Sequence, residues 1–207
     1  FVFYGQIASA LTPAGTIIRN HAIVQFQRDD ESGRVYEAPS NEVLIEVLPV
    51  YGLEITPDGN APPDIPGPGQ TQRTVSAMPN TQVTFNYSLV FTGNISDNAI
   101  ISPVFEHEAS NFLPKLPDGD TGFMVYNDLD RNGIVDGNDI LVASWRDANA
   151  NGQLDASEIQ ASDLGRRYDV GDVISLLVTF RVPAGLDPDL ATYVGIKGAS
   201  VGNPTIT

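Results

Sequence analysis

From Val83 to Phe91 every second residue is large and apolar: Val83, Phe85, Tyr87, Leu89 and Phe91, with Thr84, Asn86 and Ser88 among the residues between them. Side chains of an extended chain point alternately to its two faces, so this period of two specifies a strand with one face buried. The same period returns in Ile174, Leu176, Val178, Phe180 and Val182. It is also present in Val43, Ile45 and Val47, and in residues 16–26, where Ile18, Ala22, Val24 and Phe26 oppose Arg19, His21 and Gln25. Shorter runs at 100–105, 123–126 and 192–196 are equally rich in β-branched and aromatic residues. Many short strands set apart by Gly, Pro, Asn and Asp predict an all-β chain, an antiparallel sandwich with Greek-key connections.

Residues 56–72 break the rhythm with five prolines and three glycines. Proline fixes φ and lacks the donor a ladder needs, so this stretch reads as an extended linker. It divides the 207 residues into an N-terminal β-strand segment, 1–55, and a sandwich, 73–207. Some 55 residues with no cysteine to staple them make a marginal free domain, so these strands are expected to pair with the main body or with another copy. Phe1, Val2, Phe3 and Tyr4 are consecutive and apolar, which suits a donated strand that completes a neighbouring subunit. The plainer alternative is that the segment tucks into its own domain.

Two stretches carry metal chemistry. Asp128, Asp130, Asn132, Ile134, Asp136 and Asp139 occupy positions one, three, five, seven, nine and twelve of a loop with Gly133 at six. Asp147, Asn149, Asn151, Gln153, Asp155 and Glu158 repeat the spacing around Gly152. This is the twelve-residue calcium loop of the EF-hand and dockerin type: a hard cation needs six to eight oxygens, and a tightly coiled loop aims alternate side chains inward. Ile134 and Gln153 would contribute backbone carbonyls. Val135 and Leu154, at position eight, sit where paired loops of this type exchange a short β-bridge. The first loop ends in Asp139, one methylene shorter than the usual Glu, which predicts a monodentate or water-mediated last ligand. The second ends in Glu158 but has one carboxylate fewer. The runs before and after the first loop look strand-like or ambiguous, and the residues after the second could begin a short helix. One or two bound Ca²⁺ ions acting as a structural clamp are the expectation.

The chain has 26 acidic against 11 basic residues and a net charge of −15. Such a surface repels phosphate backbones and anionic lipid heads, so neither nucleic acid nor membrane is an expected partner. Residues 118–172 hold twelve of the acids and four arginines, so more than half of the net charge lies around the two loops. No run reaches the roughly 18 apolar residues of a membrane helix, and no signal-peptide pattern opens the chain. It begins with Phe rather than Met, as a processed or trimmed chain does.

Enzymatic signatures are missing: there is no cysteine, no G-x-S-x-G, no P-loop, no G-x-G-x-x-G and no H-E-x-x-H. His21 falls on the polar side of its strand. His107, between Glu106 and Glu108, reads as a solvated turn residue more readily than as an acid/base group. Trp145 is expected in the core or covering a calcium loop. No enzyme is predicted, although carboxylate pairs for glycoside hydrolysis cannot be located from spacing alone.

Taken in order, GTIIRNHAIVQFQ, SNEVLIEVLPVYGLEITPDG, TVSAMPNTQVTFNYSLVFTGNISDNA, VYNDLDRNGIVDGND and LLVTFRVPAGLDP resemble the Ig-like conserved-repeat domains of bacterial and archaeal surface proteins, with the flavour of deinococcal and thermal lineages. The second loop, 147–158, is not typical of that repeat. The resemblance implies an Ig-like β-sandwich located extracellularly at the cell surface, with structural work. It carries calcium-ligand roles only to Asp128, Asp130, Asn132, Asp136 and Asp139. The function expected is a calcium-stabilised, self-assembling subunit of a filament or surface layer, partnered by other copies of itself and by cell-surface components. The alternatives are a monomeric adhesion module, one repeat of a larger surface protein, or a secreted hydrolase with structural calcium.

Overall fold

The computed structural model describes residues 11–30, 33–58 and 74–202, and divides into two compact units, Phe1–Val50 and Tyr51–Thr207. The predicted donor residues 1–10 and the linker residues 59–72 lie outside the described residues.

In the first unit, β1 (Ile17–Asn20) pairs antiparallel with β4 (Val43–Glu46), and β2 (Ile23–Gln27) with β3 (Val35–Pro39). The four strands are the two arms of one hairpin, interrupted at Ala22, whose N–H donates to Ser40 Oγ at 2.9 Å. Cross-strand pairs hold the register: Arg19 with Glu42 at 3.0 Å, Gln25 Nε2 donating to Glu37 at 2.7 Å, and Phe26 stacked on Tyr36. Among the described residues the ribbon has no second layer to bury its faces. Ile23, Val24, Leu44 and Ile45 are accordingly more than half exposed. The strands of this segment thus pair with one another.

The second unit holds a six-stranded antiparallel sheet in the order β10-β9-β8-β11-β6-β5. Its members are β5 (Leu53–Asp58), β6 (Gln82–Phe91), β8 (Gly122–Asn127), β9 (Ile140–Arg146), β10 (Ile159–Ala161) and β11 (Val173–Arg181). A separate antiparallel pair, β7 (Ala99–Phe105) with β12 (Val194–Ser200), makes the facing layer. The architecture is all-β and sandwich-like, with a curled main sheet. No α-helix occurs among the described residues; two 3₁₀ turns lie at His107–Ala109 and Ala156–Glu158.

The two compact units divide at Val50/Tyr51, whereas the sequence reading places its boundary at residue 55. Leu53 to Asp58 pair with Phe91 to Asn86 and belong to the main sheet, although residues 56–58 read as linker. Pro57 is compatible with a strand here because β5 is an edge, where one side of the strand needs no donors.

The alternation that predicts β6 and β11 builds the core. Leu89 and Phe91 from β6 pack with Ile174, Leu176, Val178 and Phe180 from β11, and with Phe123, Val125 and Trp145 from β8 and β9. Ala99 and Ile101 of β7 close the core from the other side. Trp145 is fully buried, stacked on Phe105 at 4.9 Å and edge-on to Phe123 at 5.9 Å. Being central, β11 is buried on both faces, with Ser175, Leu177 and Thr179 covered as well.

Candidate metal centres

β8 runs directly into the first acidic loop. Asp128 follows its last residue and is 2% exposed, an environment that a carboxylate tolerates only when hydrogen-bonded. Ser175 on β11 supplies the bonds: its Oγ donates to Asp128 Oδ2 at 2.9 Å, and its carbonyl accepts the Asp128 N–H at 3.0 Å. The loop then coils around that carboxylate. The N–H groups of Asn132 and Gly133 donate to Asp128 at 3.2 and 3.0 Å, and the N–H of Ile134 donates to Asn132 Oδ1 at 2.7 Å. Arg131 reaches across to the Val173 carbonyl at 2.6 Å and ties the loop to β11.

The second loop has the same construction. The N–H groups of Asn151 and Gly152 donate to Asp147 at 3.1 and 2.9 Å, and that of Gln153 to Asn151 Oδ1 at 2.7 Å. The backbones match too. Position four is left-handed in both, Arg131 and Ala150 each at φ 57°, and position six has Gly133 at 73° and Gly152 at 72°. Two successive left-handed turns aim side-chain oxygens at one centre, and glycine at the second avoids the Cβ clash. The repeated spacing in the sequence therefore corresponds to a repeated conformation.

The two loops differ in what their oxygens face. In the first, carboxylate oxygens of Asp128, Asp130 and Asp139 lie within 4.8 Å of one another. Asn132 joins them to Asp136, its Nδ2 donating to Asp130 at 3.0 Å and Asp136 at 3.2 Å. Asp139 accepts the Asp136 N–H at its Oδ2, 2.8 Å away, while its Oδ1 is buried with no partner. Burial, together with the charges of Asp128, Asp136 and Asp130, raises the Asp139 carboxyl above its usual range, although the Asp136 N–H pulls the other way. An orphaned buried oxygen among repelling carboxylates fits a cation.

In the second loop the acceptors are satisfied by the protein. Glu158 Oε1 accepts the N–H groups of Ala148 and Asn149 at 2.8 and 3.0 Å, and Oε2 faces the Trp145 Nε1–H at 3.4 Å. Asp155 accepts both Asn149 and Asn151 Nδ2 at 2.9 Å. The closing Glu158 thus hydrogen-bonds to the loop's own backbone and to the core tryptophan. Asp147, Asn149, Asn151, Asp155 and Glu158 are brought together, but the close carboxylate triad belongs to the first loop among the described residues.

No family model, curated protein or solved structure matches this chain.

The expected exchange of a β-bridge between the loops does not occur: Val135 and Leu154 take part in no bridge among the described residues. The first loop joins β8 to β9 and the second joins β9 to β10. A strand of seven residues, about 23 Å long, separates them. ILVASW is the strand β9, and the possible helix after the second loop is one 3₁₀ turn followed by β10, where Ile159 pairs with Trp145. His107 is exposed on its 3₁₀ turn, and His21 is exposed on the ribbon. Sequence reading missed Ser175, which lies 47 residues from its partner and carries no motif. Trp145 lies in the core, one of the two places expected of it, with its indole N–H facing Glu158 of the second loop.

Proposed function

We propose that this chain is a calcium-stabilised structural subunit of an extracellular filament or surface layer, assembled by strand donation between copies. The observation that carries the reading is the N-terminal ribbon. Its two strands place apolar residues on both faces, and Ile17, Ile18, Leu44 and Ile45 are each about half exposed. An isolated two-stranded ribbon is at best marginally stable in water, and its apolar faces call for a covering surface. Contacts that repeat head to tail generate open fibres when the rotation does not close.

Calcium enters through the first loop, where Asp128, Asp130, Asn132, Asp136 and Asp139 would hold the ion with the Ile134 carbonyl. The second loop, through Asp147, Asn149, Asn151, Gln153, Asp155 and Glu158, is the weaker site. The ion would supply the positive charge that offsets the mutual repulsion of the carboxylates, and binding would add to folding stability. Within this reading the main body is an Ig-like Greek-key sandwich: β11 is threaded between β8 and β6, and the chain passes twice to the β7–β12 layer. The surface location and the absence of a catalytic role belong to the same proposal.

The test is negative-stain microscopy and sedimentation of the purified chain in millimolar calcium. Filaments or sheets that disperse in excess chelator are expected. A concentrated, calcium-loaded monomer would overturn the reading.

A further inference from the structure

The main sheet has two edges, and the facing β7–β12 layer treats them differently. At the β10 side, β7 is tied on by the Ile101 N–H to the Ser162 carbonyl at 3.4 Å and the Leu164 N–H to the Ala99 carbonyl at 3.1 Å. At the β5 side there is no ladder: among the described residues β12 pairs only with β7, and β5 only with β6. The two edges meet near Gly198, where an added Cβ would come within 2.8 Å of Ile55 Cδ1. Away from that point lies a groove of about 1030 Å³. Its walls are Val83, Phe85 and Tyr87 of β6, Phe180 of β11, and Val194 and Ile196 of β12. The residues that predict the core thus face a partly open interior at this end. The acidic residues Glu106, Asp187 and Asp189 also border it.

One segment of the chain has the chemistry to fill such a groove. If FVFYGQIASALT, residues 1–12, were extended, its odd positions would put Phe1, Phe3, Ile7 and Leu11 on one face, with Gly5 and Ser9 between them. The first charged side chain of the sequence is Arg19, in a chain of net charge −15. An uncharged strand can approach the acidic border of another copy without like-charge repulsion, and two unpaired edges offer it backbone partners.

We propose that residues 1–12 of one copy enter the groove of the next as an added strand between β12 and β5, with the odd-numbered side chains pointing inward. The proposal rests on the self-assembly reading above and assigns its acceptor site.

The absence of cysteine allows a direct test. Full-length Phe3→Cys and Ile196→Cys chains, mixed under assembly conditions and oxidised, should give a covalent dimer that neither gives alone. The doubly substituted chain should give a ladder. Phe3→Asp should raise the concentration needed for assembly by at least about tenfold, the loss expected for one buried aromatic side chain. Gln6→Lys, on the other face, should leave assembly unchanged. A closed, internally cross-linked monomer from the double variant would overturn the proposal by showing that the chain fills its own groove. Filaments without cross-linking, or with Phe3→Asp tolerated, would overturn the acceptor site while leaving self-assembly standing. Failure of the unsubstituted chain to assemble would remove both.

Discussion

Asp139 is the residue at which the first loop departs most from a self-satisfied turn. Its folded-state carboxyl is raised by burial and by its acidic neighbours. A group raised in this way stabilises the fold when protonated. That contribution is complete below the unfolded value, about 3.9, and is lost as pH rises through the folded value. In chelator, Asp139→Asn should therefore melt higher than the unsubstituted chain at neutral pH, and the gap should close on acidification. In calcium the order should reverse, because the ligand is lost. Melting curves across pH, with and without calcium, check both signs. Ser175 lies one step further out: it donates to Asp128 from β11 and, in the proposed site, would orient that carboxylate without being a ligand itself. Ser175→Ala should weaken calcium binding by about ten- to a hundredfold, the usual cost of losing a partner that orients a ligand, as measured by calorimetric titration. Gly133→Ala and Gly152→Ala should each cost about 1 kcal/mol even without calcium, because both positions need positive φ.

At the scale of elements, β9 links a buried core to the two loops. Trp145→Ala should destabilise by about 3–5 kcal/mol through the cavity it leaves. It should also disturb the second loop, because the indole N–H faces Glu158. Chemical denaturation read alongside calcium titration would show both effects, whereas an unaffected second loop would restrict the tryptophan to packing. Strands of this kind were legible in the sequence because a half-buried strand writes its period of two directly into Val83–Phe91 and 174–182. The coil of the loops was legible because left-handed turns constrain residue type at fixed spacing. What local pattern could not convey is pairing at a distance. Ser175 looks like any outward serine of a strand, and Thr56-Pro57-Asp58 resembles the linker that follows it. Only the β5–β6 register shows that an edge strand can hold that proline. The separation of the loops by β9 was hidden for the same reason, since ILVASW suits a strand or a helix equally.

For the whole molecule, more than half of the net charge of −15 lies in residues 118–172, around the two loops. Two bound calcium ions would bring the chain to −11 and would act where the repulsion is greatest. Excess chelator should lower the melting temperature, and added calcium should restore it. Unchanged melting after verified metal removal would exclude a structural ion.

The placement of the two loops also gives the molecule a direction of failure. Both lie on the meander β8-β9-β10, one at each end of β9, whereas β5, β6 and β11 are joined to one another independently of either loop. Chelation should therefore release amide protons first from one flank of the main sheet. Hydrogen exchange followed by mass spectrometry should find β9 and β10 opening while β6 and β11 remain protected, a local opening well below the cost of global unfolding. A chain built this way would loosen along one flank of its curled sheet while the other flank kept its shape.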